Sequence, residues 1–121
     1  MKKLIFFLIL ITSFFCTSLQ YAKETLIYAD AIDYDKDENL VAEGNVKVIR
    51  KNEIIISDLI IFKEKEKKII LPKEFQYKDS ENNFYYGTSG EFTSDFNDAS
   101  IKNIKLLLND GSRIVGTDAY K

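Results

Sequence analysis

The sequence predicts an all-β protein made of short antiparallel strand pairs stacked on one another. Three observations carry that reading. Residues 28–62 contain one pattern twice: Asp30, Ile32 and Tyr34 superimpose on Asp58, Ile60 and Phe62 at an offset of 28 residues. That period accommodates two short strands and their turns, a unit that buries its apolar face only against its neighbours. Between the two heads, Leu40, Ala42, Gly44, Val46 and Val48 alternate with Glu43, Asn45 and Lys47, the period of two that marks a half-buried strand. Beyond the N-terminal apolar run, no capped apolar stripe of period 3.6 signals a helix.

The elements come in order. Residues 24–34 form the first strand region, and the alternation slips by one residue around Ala29-Asp30-Ala31, which predicts a bulge or bend. Asp35 to Asn39 is wholly polar and reads as a turn. Gly44 in mid-strand marks a bulge or a close approach to the backbone. After Arg50-Lys51-Asn52, an isoleucine-rich strand covers residues 53–62, with its inward face undetermined. The run Lys63 to Lys68 alternates in sign and reads as a solvated turn. Ile69, Ile70 and Leu71 start a fourth strand, interrupted by Pro72, which stands where the repeat places the counterpart of Gly44. From Phe75 the spacing loosens into short aromatic strands at residues 74–77 and 83–86. A faint echo remains in Ser89-Gly90-Glu91-Phe92 and Thr117-Asp118-Ala119-Tyr120. Ile104, Leu106 and Leu108 lead into the hairpin turn Asn109-Asp110-Gly111-Ser112 and a returning strand from Arg113.

The 121 residues divide into an expected secretory signal peptide, residues 1–22, and a β domain, residues 23–121. Lys2 and Lys3 precede an apolar run from Leu4 to Phe15, which is shorter than the roughly 20 residues needed to span a bilayer. Cys16 is not read as a lipidation site, because Phe15 stands where a small residue is required. If Cys16 leaves with the signal, no disulfide remains to the domain. The net charge of −2 argues against a nucleic-acid partner, whose affinity rests on a basic face.

The chain has no histidine, which removes the histidine-based nucleophile systems and the common zinc sites. Asp35/Asp37 and Asp95/Asp98 fall in predicted turns, where aspartate bonds to nearby backbone, so no catalytic, cofactor or metal site is expected. What remains is one apolar strand face, Ile32, Tyr34, Leu40, Ala42, Val46, Val48, Ile60 and Phe62. It is either the core of a small sandwich or the lining of a groove for acyl chains, worth about 0.8 kcal/mol per CH₂ removed from water.

The heads Ala29-Asp30-x-Ile32-x-Tyr34 and Ser57-Asp58-x-Ile60-x-Phe62, with Ala42-Glu43-Gly44-Asn45-Val46 between them, resemble the OstA-like (organic solvent tolerance) domain of the lipopolysaccharide transport proteins. The resemblance covers residues 25–71, with Ala29, Asp30, Gly44, Asn45 and Asp58 as its motif positions; Pro72 departs from it. Residues 75–78 and 86–92 look like the segment C-terminal to this domain in the LptD family of outer-membrane assembly proteins, with the LptA family of bridge proteins as the second choice. The resemblance implies a β-jellyroll or β-taco in the periplasm, associated with the outer membrane. Its implied partners are lipopolysaccharide, other OstA-like domains joined edge to edge, and an outer-membrane barrel with its lipoprotein plug. The alternative is a β scaffold or adhesion domain that binds no lipid.

Overall fold

The computed structural model describes residues 25–121. The expected signal peptide and Cys16 lie outside them. Twelve strands are described: β1 (Thr25–Tyr28), β2 (Ala31–Tyr34), β3 (Leu40–Arg50), β4 (Glu53–Lys63), β5 (Lys68–Leu71), β6 (Phe75–Lys78), β7 (Phe84–Gly87), β8 (Ser89–Thr93), β9 (Ala99–Lys102), β10 (Lys105–Leu107), β11 (Arg113–Val115) and β12 (Asp118–Tyr120). No described residue is helical, every described pairing is antiparallel, and the all-β, taco-like class expected from the sequence is observed.

The two long strands, β3 and β4, carry the architecture. Their halves belong to different leaves of one folded-over sheet. In the first leaf, β1 pairs with the C-terminal half of β3, the N-terminal half of β4 pairs with β6, and β7, β10 and β11 extend it. In the second, β2 pairs with the N-terminal half of β3, the C-terminal half of β4 pairs with β5, and β8, β9 and β12 extend it.

The sheet folds over because the alternation changes parity at a corner. In β4, Ile55 and Ser57 are buried on one side of Asp58, and Ile60 and Phe62 on the other. Two consecutive outward residues, Asp58 and Leu59, let the strand cross from leaf to leaf and keep an apolar face inward. In β3 the crossing is a bulge: Glu43 pairs with Leu59 and Val46 with Ser57, so Gly44 and Asn45 oppose Asp58 alone. Gly44 and Asn45 take positive φ, +81° and +47°. The first strand region bends at the equivalent place, splitting into β1 and β2 around Ala29-Asp30.

Between the leaves lies one apolar cluster. Its middle is aromatic: Tyr77 of the first leaf packs on Phe92 of the second with ring centroids 5.0 Å apart, and Phe96 stands 6.1 Å from Phe92 and 6.2 Å from Tyr77. The rings meet edge to face, the arrangement their quadrupoles favour. Phe75 adds a further edge contact to Phe92 at 5.9 Å.

The corner at Gly44 admits no side chain. A Cβ there would lie 2.7 Å from an Asp30 carboxylate oxygen and 2.9 Å from the Asp30 Cβ, on a backbone that L residues rarely adopt. Gly44→Ala is expected to destabilise the fold by about 1–3 kcal/mol, the usual cost of a residue held in a disfavoured conformation. Urea unfolding with an unchanged m-value checks this; a loss under about 0.5 kcal/mol contradicts the corner's role.

Candidate functional site

The apolar face singled out in the sequence is largely one surface. Across the second leaf, Tyr34, Leu40, Phe62, Ile69, Phe92 and Ala99 stand opposite one another strand by strand. Ile32, Ala42 and Ile60 form a parallel row, and in the first leaf Ile27, Val48, Ile55, Tyr77, Tyr85, Leu106 and Ile114 do the same. Ala42, Val46, Val48, Ile60 and Phe62 are buried in the core and Leu40 packs against it. Ile32 and Tyr34 lie on the same inward face at its margin and are 49% and 64% exposed. Ile114, at the opposite margin, is 51% exposed. The inner face is thus filled in the middle and open at both ends.

The motif residues make the corner. The Asp30 backbone N–H donates to the Gly44 carbonyl at 2.9 Å, and the Asn45 side-chain amide donates to the Asp30 carboxylate at 3.0 Å. Ala29 packs against the core beside them, and Asp58 is exposed on β4 opposite the bulge.

This corner recurs where the sequence pattern gave only an echo. The Thr88 N–H donates to the Lys102 carbonyl at 3.1 Å, and the Asn103 amide donates to the Thr88 hydroxyl at 3.0 Å. Asn103 has positive φ, +51°, as Asn45 has. Thr88 and Asn103 each stand 58 residues after Asp30 and Asn45, close to two repeats. The signal was the shared asparagine; it was masked because threonine replaces aspartate and Lys102 stands where Gly44 would be.

Asp35, Asp79 and Asp95 are each held within their own turn. Asp35 Oδ1 accepts from the N–H groups of Asp37 and Asn39, both at 2.9 Å. The Asn39 N–H bond is the largest influence holding that carboxyl below its ordinary value. Asp95 accepts from the Thr93 hydroxyl at 2.6 Å, which lowers it in the same way, and from the Asn97 N–H at 3.0 Å. Asp79 repeats the Asp35 turn with Glu81 and Asn83, and also accepts from the Tyr85 hydroxyl at 3.0 Å. Among the described residues, no group of three or more histidine, cysteine or acidic side chains could hold a metal ion.

One polar cluster ties the leaves together beside the aromatic core. The Lys121 ammonium donates to the Tyr77 hydroxyl at 2.8 Å and to the Phe96 carbonyl at 2.7 Å, and lies 3.5 Å from a Glu53 carboxylate oxygen. The Tyr77 hydroxyl donates in turn to Glu53. Burial, then the bond to Glu53, pushes the Tyr77 phenol strongly up. No sequence pattern marked these three residues, which are far apart in the chain.

No protein-family model matches the chain, and no curated protein matches it either.

Burial pushes the Asp79 carboxyl up, but the bonds from Asn83, Tyr85 and Glu81 together hold it below 3.8. Burial, then the bond to Asp79, pushes Tyr85 up from 10.0 to about 12. A raised phenol value means that this contribution to stability is complete below pH 10 and is lost as pH rises toward 12. A lowered carboxyl value means that the Asp79 contribution is present above pH 3.8 and is lost on acidification below it. Urea unfolding from pH 9 to 12 is expected to show a shallower alkaline loss for Tyr85→Phe than for the parent. Parallel curves would count against the pair.

Proposed function

We propose that this chain is a periplasmic lipid-carrying module of the OstA-like kind, which takes the acyl chains of lipopolysaccharide along its inner face toward the outer membrane. The observation that carries the reading is the inner face itself. Its apolar rows cross the strands of both leaves and run out into exposed side chains at one margin of each, Ile32 and Tyr34 on β2 of the second leaf and Ile114 on β11 of the first. A core needs no apolar surface at the margins; a path continuing into a neighbouring module does.

The margins also suit edge-to-edge joining. Among the described residues, β1 and β2 pair only with β3, β11 only with β10, and β12 only with β9. Each leaf therefore presents unpaired backbone groups at both ends, a liability unless another chain adds a strand there. Seven of the nine large apolar side chains that remain exposed belong to these four strands, which fits margins meant to be covered. In this reading the partners are further modules of the same kind, within an assembly that includes an outer-membrane barrel and its plug, and the module performs no catalysis.

Acyl chains lie first over the open margin, on Ile32 and Tyr34. Passage through the middle requires the leaves to part, because Val46, Val48 and Ile60 are fully buried there. The hydrocarbon removed from water, at about 0.8 kcal/mol per CH₂, offsets the apolar packing given up between the leaves. The same full burial favours the rival reading, a β scaffold whose inner face is core alone.

A photoreactive residue at Tyr34, on the inner face, and another at Asp33, its outward neighbour, separate the two readings in cells that make lipopolysaccharide. Lipopolysaccharide adducts at position 34 and none at position 33 are expected. No lipid adduct at 34 leaves the scaffold reading in place.

A further inference from the structure

The outer faces of the two leaves differ in charge. On the second leaf, acids and bases are mixed and paired: Lys68 lies 3.0 Å from Glu91, and Lys102 lies 3.0 Å from Asp118. On the first leaf the two outward rows that cross every strand from β1 to β11 hold four cations, Lys47, Lys78, Lys105 and Arg113, and no acid. None of the four makes an ion pair with a described residue. This all-basic face stands in a chain whose net charge is −2. The acids closest to it, Asp58 and Glu74, stand at the corner beside the first row and line a depression with Ile56, Tyr86 and Lys105.

Large apolar side chains alternate with the cations. Tyr28, Ile56, Tyr86 and Val115 share one row with Lys47 and Lys105, and are 55%, 41%, 38% and 75% exposed. The second row adds half-buried Ile49, Ile54, Phe84 and Leu107. At a strand spacing of 4.7–4.9 Å, seven strands spread this surface over roughly 29 Å.

We propose that the outer face of the first leaf docks on the surface of an anionic lipid bilayer. Tyrosine at headgroup depth, isoleucine and leucine beneath, and lysine stems reaching up to phosphate are the interfacial arrangement that each of these side chains favours. Each basic residue close to an anionic membrane contributes roughly fivefold in partitioning. A second copy is a poor occupant, since a two-fold interface would set the cations against their own copies. The apolar groups extend across the leaf from β1 to β11, a breadth that suits a fluid surface. The shallow depression bounded by Ile56, Tyr86 and Lys105 also carries Asp58 and Glu74, so it offers no purely apolar socket for an anchor residue of a protein partner. The proposal does not depend on what the inner face carries.

The chain has no tryptophan, so Tyr86→Trp gives it a single reporter on this face, and Tyr120→Trp gives one on the outer face of the other leaf. Vesicles of phosphatidylglycerol are expected to shift the emission at position 86 to the blue and shield it from acrylamide, an effect reversed by high salt. Phosphatidylcholine vesicles leave it unchanged, and position 120 stays quenchable on both. Adding Lys47→Glu and Lys105→Glu is expected to weaken the response at 86 by twentyfold or more. Should Tyr86→Trp unfold the protein, as circular dichroism would show, Tyr28→Trp reports from the same row. A reporter that stays wet on phosphatidylglycerol overturns the proposal and gives the face to a protein partner. Equal shifts at 86 and 120 overturn it too, since they mean membrane capture without an oriented face.

Discussion

Everything in this structure depends on a strand changing sides. A sheet that is apolar on one face cannot bury that face on itself unless its strands bend, and a bend that keeps strict alternation turns the apolar residues outward. β3 resolves this with Gly44 and Asn45, two left-handed residues opposite the single Asp58. β4 resolves it by placing Asp58 and Leu59 outward in succession. Asp30 locks the arrangement, filling the space where Gly44 lacks a side chain and bonding to the Gly44 carbonyl and the Asn45 amide. At this corner glycine, asparagine and aspartate each serve for a different reason, so it reads as a motif; the later corner keeps only the asparagine.

Once the corners are made, the leaves meet through groups drawn from later repeats. Tyr77, Phe92 and Phe96 fill the interior, and Lys121 and Glu53 satisfy the Tyr77 hydroxyl where it reaches the rim. This closure gives a small domain its core, and it sets the condition on the proposed function: lipid at the margins meets apolar surface already open, whereas lipid in the middle must compete with aromatic packing. The two outer faces are then free to differ, one internally neutralised by ion pairs and the other left basic and apolar.

Much of this was legible in the chain. The slip at Ala29-Asp30-Ala31, the cost of Gly44 and the interruption at Pro72 each mark a place where the sheet bends or a strand ends: β1 gives way to β2, β3 bulges, and β5 stops at Leu71 before β6 takes over beside β4. The turn aspartates were recognisable because their chemistry is local. The inward side of residues 53–62 was not legible, since one parity was assumed for a strand that carries two. Nor was the persistence of the repeat: Thr88 bonds as Asp30 does through a different functional group, which pattern matching on residue type does not see. The Glu53–Tyr77–Lys121 cluster joins positions that no local rule connects.

Lipid transport along the inner face requires the two leaves to form a closed sleeve that parts for an acyl chain. The direct measurement is the distance between spin labels at Gln76 and Ser100, on the outer faces of opposite leaves, in protein carrying Cys16→Ser. A single short distance is expected in the free protein, lengthening when lipopolysaccharide is added. A distance that stays the same with lipopolysaccharide bound would contradict the sleeve, placing lipid on the margin alone and leaving the interior as permanent core.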